Sequence, residues 1–188
     1  MKKIKTSMLC VLILSTLTSC SFMSKMDAQK LNLKANKLMK SGDYQGAISR
    51  LESINDLNPG FSQTYYNLGV AYHKTENYEK AAIALKEAVK IKHDFADAYY
   101  TLGVVYEDWA DKLAGNNNES EQSEKTELKP ELKPEIKQAV ADNLTKSIEF
   151  YTKYLSVKPD APDKNDIEGK IKFLQNDLSK YTDTTGKN

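Results

Sequence analysis

The chain has 188 residues, of which 40% are hydrophobic and 28% charged, with eight Gly, five Pro and a formal net charge of +1. That length holds one domain of ordinary size with a sizeable core, and the composition excludes collagen-like and disulfide-framework proteins. A near-neutral balance provides no basic field to steer toward phosphates, so nucleic acid is not an expected partner.

Residues 1–20 read MKKIKTSMLCVLILSTLTSC. Lys2, Lys3 and Lys5 precede an apolar run from Met8 to Leu14 and then small residues, the three-part layout of a secretory signal. The run falls short of the roughly 20 apolar residues that span a bilayer. Leu17-Thr18-Ser19-Cys20 follows it directly and resembles the lipobox of bacterial lipoproteins. The resemblance implies a signal peptide over 1–19, cleavage before Cys20, diacylglycerol on its thiol and usually an acyl group such as palmitate on its new amino group. Two or more chains, at about 0.8 kcal/mol per buried CH₂, anchor a protein stably. Losing the three lysines leaves a mature charge of −2, and losing Cys10 leaves Cys20 as the lone thiol, so no intramolecular disulfide can form. Ser21, where some inner-membrane lipoproteins carry Asp, implies the periplasmic side of an outer membrane if the organism has one, and otherwise the outer face of the cell membrane. Residues 20–27 form a short tether, and Asp27 is an expected N-cap for the first helix.

A 34-residue shift aligns Leu31 with Tyr65 and Tyr99, Ala35 with Gly69 and Gly103, and Leu38 with Tyr72 and Tyr106. Tyr44 then matches Tyr78, Ala47 matches Ala81, Leu51 matches Leu85, and Ile54 matches Ala88. The pattern resembles the tetratricopeptide repeat, a helix–turn–helix unit of that period. The fold expected is an all-α right-handed solenoid of about three helix pairs plus a capping helix. Its repeats lie at 28–61, 62–95 and 96–161. Aromatic and Leu residues at three- and four-residue spacing make the buried stripe. Gly69 and Gly103 leave room for the paired helix, as do Ala47 and Ala81. Ser41-Gly42-Asp43 and Thr75-Glu76-Asn77 make the turns, with Asp43 and Asn77 as caps, and Pro59-Gly60 closes the first repeat.

The third repeat is interrupted. Its first helix is expected from Ala96 to about Leu113 and its second around Ala139 to Val157. Pro159 falls 100 residues after Pro59 where two periods give 68, so the insertion is 32 residues. Its polar and charged composition at about 114–133 predicts a flexible segment, and Pro134 can open a lengthened second helix. Ile167, Ile171, Leu174 and Leu178 share one face of a capping helix over 162–180, which an array end needs; a frayed tail at 181–188 is expected.

In stacked repeats of this family the first helices line a concave surface. The resemblance places Asn32 and Asn36, then Tyr66, Asn67, Val70 and His73, then Tyr100, Thr101, Val104 and Asp108 on that surface as a partner-binding groove for an extended peptide or a partner helix. A chaperone-type carboxylate clamp is not expected. Asn36 and Asn67 fit one, but Asn32, Asp97 and Thr101 stand where basic residues are required.

His73 and His93 sit in different contexts without a HxxxH or Cys pair, so no metal and no cofactor are expected. Glu107 and Asp108 read as a solvated helix face, Trp109 reads as packed under the insertion, and no catalytic motif is present. The function expected is a non-enzymatic adaptor for other envelope proteins, attached to the membrane through lipid on Cys20. The alternative is a carrier or sensor of a small glycan or lipid fragment.

Overall fold

The computed structural model describes residues 29–57, 60–119 and 132–182. Cys20 with its signal and tether, the Asp27 cap, Pro59, the middle of the insertion and the tail beyond Thr182 lie outside those residues. Among the described residues are seven helices and no strand: α1 (29–40), α2 (Tyr44–Leu57), α3 (Ser62–Lys74), α4 (Tyr78–Ile91), α5 (Ala96–Glu119), α6 (Pro134–Val157) and α7 (Lys164–Thr182). They form the expected helical-repeat solenoid. Helices α1/α2, α3/α4 and α5/α6 pair, and α7 closes the end against α6. No described helix is long and apolar enough to cross a membrane.

The turns follow from local chemistry. Gly42 adopts φ +81° and Glu76 φ +58°, the left-handed conformation that ends a helix. Asp43 N donates to Leu38 O and Asn77 N to Tyr72 O, both at 2.9 Å, while Gly42 N and Glu76 N reach Met39 O and His73 O. These bonds satisfy carbonyls that the helix ends would leave bare. The next helices start on the two expected caps. Asp43 Oδ1 accepts from Gly46 N at 2.8 Å, and Asn77 Oδ1 accepts from Lys80 N at 3.3 Å.

Small residues set the distance within each pair. A Cβ on Gly69 would collide with the buried Leu85 side chain and lie 3.2 Å from Ala81 O. A Cβ on Gly103 would lie 2.7 Å from two ring carbons of Tyr151. Ala47 and Ala81 are fully buried at the facing positions.

Three apolar clusters run along the array. Leu51, Ile54 and Leu68 centre the first, Leu85, Leu102 and Tyr106 the second, and Leu144, Tyr151 and Ile167 the third. Tyr106 and Phe150 stack at 5.6 Å, 7° from parallel, joining α5 to α6. Trp109, expected beneath the insertion, stacks on Tyr106 at 6.0 Å and on Tyr78 at 6.4 Å, so it belongs to the seam between α4 and α5.

The insertion lengthens the third pair. Helix α5 continues past Leu113 to Glu119, and α6 begins at Pro134, in its first turn, rather than near Ala139. Leu113, Ala114 and Ile136 pack on the third cluster, which is the apolar reason for the extra turns. Helix α7 buries Ile167 and Leu174, with Ile171 and Leu178 half-buried beside them. Phe173 on the same helix is 65% exposed and lies off that stripe.

Candidate functional site

The first helix of each pair supplies the expected groove residues, and the structure divides them into three groups. The first is internal. Asn32 is buried on α1, where Nδ2 donates to Thr64 Oγ1 at 2.8 Å and Oδ1 accepts from Asn67 Nδ2 at 3.1 Å. Gln63 Nε2 in turn donates to Asn67 Oδ1 at 3.1 Å. Buried amides must be paired, and these pairings clasp α1 to α3. Asn32 is therefore a structural residue and not an inward ligand. Asn67 likewise spends its amide on the clasp and shows only an edge to the groove.

The second group makes a recess. Asn36, Tyr66 and Val70 line an open-sided hollow of about 410 Å³ together with Leu33, Lys37, Met39 and Lys40. Tyr66 is held by the buried Phe95 ring, 5.0 Å away. The floor is apolar and the rim carries two ammonium groups. Sequence reasoning missed Leu33, Lys37, Met39 and Lys40. Leu33, 62% exposed, stands off the Leu31–Ala35–Leu38 stripe that α1 buries, and that break in period was a readable signal.

The third group lies along α5. His73 Nε2 and Asp108 Oδ2 are 2.6 Å apart, pairing α3 with α5 across the groove. Thr101 Oγ1 donates to the backbone O of Asp97 at 2.7 Å, which uses its proton within the helix. Tyr100 turns toward α6, with its ring 5.8 Å from Tyr151 and 5.5 Å from Tyr154. Val104 packs on the third core cluster. The recess and the α5 stretch are therefore distinct surfaces, both built on the first helices of their pairs.

Glu107 corrects the reading of a solvated pair. Its carboxylate is 17% exposed and accepts from Tyr151 Oη at 2.7 Å and from Lys170 Nζ at 2.9 and 3.0 Å. Burial first, then the Glu107 carboxylate, raises the Tyr151 phenol far above its ordinary range, so it stays a neutral donor. This set ties α5, α6 and α7 together, while Asp108 on the neighbouring position faces α3. Asp111 titrates above the usual carboxylate range because of burial and then the Glu107, Asp108 and Asp177 charges. Across the turn, Glu76 and Lys112 form an ion pair that lowers the carboxyl and raises the amine. Lys37 and Lys40 line the recess at α1, while α5 carries Asp97, Asp108 and Asp111 along its length. Among the described residues no three His, Cys, Asp or Glu side chains are grouped to hold a metal ion.

Residues 38–103 match the family model described as tetratricopeptide repeat. No curated protein matches the chain significantly. Solved structures share the fold. The Sgt2 TPR domain from Aspergillus fumigatus has a TM-score of 0.59 at 16% identity, with 86% of this chain and 85% of that one covered. The second TPR domain of human RPAP3, in complex with an HSP70 peptide, has a TM-score of 0.56 at 16% identity, covering 79% and 98%. MamA has a TM-score of 0.57 at 24% identity, covering 82% and 73%. Over residues 38–103 the repeat expectation is met, and the likeness to these structures is one of fold.

Proposed function

We propose that this chain is a protein-interaction adaptor that takes a peptide or partner helix on its concave side, and that lipid on Cys20 holds it at a membrane of the bacterial envelope. The observation that carries the reading is the hollow at α1 and α3. Its floor of Leu33, Met39, Tyr66 and Val70 suits an apolar anchor side chain, and Lys37, Lys40 and the Asn36 amide suit a polar or acidic backbone neighbour. Solved TPR domains of this fold are recorded with bound HSP70 and HSP90 peptides, which supports a peptide as the class of ligand. The mode of holding must differ from a clamp of paired asparagines, since Asn67 is committed to Asn32 and Gln63. The hollow's open side fits a passing chain better than an enclosed glycan or lipid fragment.

The lipobox-like Leu17-Thr18-Ser19-Cys20 supports anchoring, and an assembly role among envelope proteins follows from placing a groove there. No enzymatic step belongs to this reading. The test is capture of partners from solubilised membranes with wild type and with Asn36→Ala/Val70→Asp. These side chains are only partly buried, so the fold is kept and checked by circular dichroism. Partners retained by wild type are expected to be lost from the variant; recovery of the same set in equal yield refutes the groove. A mass spectrum of the mature N-terminus with an unmodified Cys20 refutes the anchor.

A further inference from the structure

Among the described residues no repeat precedes the first helix pair, which leaves one of its faces at the end of the array. Helix α1 carries Lys30, Lys34, Lys37 and Lys40 and no carboxylate over 29–40. Lys30 and Lys34 are one turn apart and exposed, on the side of α1 turned away from its buried Ala35. Leu31, next to them on the helix surface, lines a shallow hollow of about 250 Å³ with Gly46, Ser49, Arg50 and Ser53 of α2. The end face therefore gathers Lys30, Lys34 and Arg50, with Lys37 and the exposed Leu33 where it meets the groove. Two described carboxylates near it in sequence are turned to other tasks. Asp43 caps α2, and Glu52 accepts from the Tyr72 hydroxyl.

The rest of this face is small and self-satisfied. Ser49 Oγ donates to Gln45 O at 3.1 Å, and Ser53 Oγ donates to Ser49 O at 3.0 Å. A protein interface draws its affinity from large anchors seated in pockets, and no aromatic side chain lines this hollow. A charged bilayer surface needs only cations on flexible stems that reach it, with an apolar side chain at the edge. Eight residues lie between Cys20 and residue 29, so the span is at most roughly 31 Å, and α1 is the first described helix.

From this we infer that the α1/α2 end face of the solenoid docks on the headgroups of an anionic lipid bilayer through Lys30, Lys34 and Arg50. The inference rests on the anchored reading only for the nearness of the membrane; the face is defined by its own charge and shape. Docked this way, the array stands away from the bilayer with α7 outermost. The hollow at Leu33, Lys37 and Lys40 then opens sideways just above the headgroups.

The test uses the full chain mixed with vesicles of phosphatidylcholine alone and of phosphatidylcholine with about 30% phosphatidylglycerol. Amine acetylation is quantified residue by residue by mass spectrometry. Lys30 and Lys34 are expected to react at least threefold more slowly on the anionic vesicles than on the neutral ones, while Lys158, Lys164 and Lys172 react equally on both. Each cation near an anionic surface contributes about fivefold to partitioning. Lys30→Gln/Lys34→Gln/Arg50→Gln should therefore weaken binding to the anionic vesicles at least tenfold more than Lys158→Gln/Lys164→Gln/Lys172→Gln. Equal acetylation of the two lysine groups, or equal losses from the two triple variants, overturns the inference. So does protection of Lys30 and Lys34 on neutral vesicles alone. Because vesicle binding is read at α1 and not at Cys20, an unmodified Cys20 in the mature protein would refute the anchor and leave this result standing.

Discussion

Replacing Gly103 with Ala inserts one methyl between α5 and α6, against the Tyr151 ring. The new Cβ would lie 2.7 Å from Cδ1 and Cε1 of Tyr151 and 2.9 Å from Cγ. Ordinary contact begins near 3.4 Å, so ring or helix must retreat by more than half an ångström. The ring has little freedom to do so. It is fully buried, its hydroxyl donates to Glu107 at 2.7 Å, and Tyr100 meets it edge-on. Overpacking of this kind costs about 1–3 kcal/mol. Better helix propensity offsets about 0.8–1 kcal/mol of that. Retreat of the ring also lengthens the bond to Glu107, and a hydrogen bond to a charged group is worth about 1.5–3 kcal/mol. The net expectation is a loss of about 1–3 kcal/mol, the terms being only partly additive. Gly115 on the same helix is the control, because a Cβ there meets nothing within 4 Å; Gly115→Ala should gain about 0.5–1 kcal/mol. Urea unfolding followed by far-ultraviolet circular dichroism reads both variants on one scale. Combining Gly103→Ala with Tyr151→Leu should show a favourable coupling of about 1 kcal/mol. If Gly103→Ala is as stable as wild type, the close-approach argument is wrong.

Three further outcomes follow from the same geometry. Asn32→Ala removes the partner of both Thr64 and Asn67 and should cost about 1–3 kcal/mol in urea unfolding, since those groups stay buried. Unchanged stability would mean that water replaces the amide. Gly42→Ala has no steric neighbour, so its cost of about 1 kcal/mol comes only from forcing φ +81° on an L side chain; a melting temperature equal to wild type would rule this out. Alkaline pH tests the hydrogen-bonded phenols. Tyr154 is pushed up to about 12 by its hydrogen bond to Asp163 and by burial, and Tyr72 to about 12 by burial and its bond to Glu52. An unfolded tyrosine loses its proton near 10, so between these values the folded state holds protons that the unfolded state releases. Their stabilisation is complete below about pH 10 and is lost as pH rises toward 12. Stability measured across that range should fall less steeply in Tyr154→Phe and in Tyr72→Phe; curves parallel to wild type would refute the linkage.

Much of the fold was legible in the sequence because repeat architecture is written in local spacing. The 34-residue register of Leu31, Tyr65 and Tyr99, the glycines at 69 and 103, the caps at Asp43 and Asn77 and the apolar stripe of α7 each depend on neighbours a few residues away or one repeat apart. The glycines carried most, since a missing side chain states how close two helices come. Helix ends beyond Leu113 and before Ala139 were less legible, because Leu113, Ala114 and Ile136 each pack on the third cluster and lengthen both helices.

The site divided differently. The repeat resemblance put Asn36, Tyr66 and Val70 on one surface, and these three line a single hollow. Sequence by itself could not distinguish an inward amide from a buried one. Asn32 and Asn67 differ from Asn36 only in which partners lie opposite, and those partners come from another helix. The same holds for Glu107 and Asp108, adjacent in the chain and opposite in fate. One is tied to Tyr151 and Lys170, the other to His73. Spacing along one helix gives direction, but only packing between helices decides what a polar side chain meets, because burial and hydrogen-bond partners are properties of the assembled array.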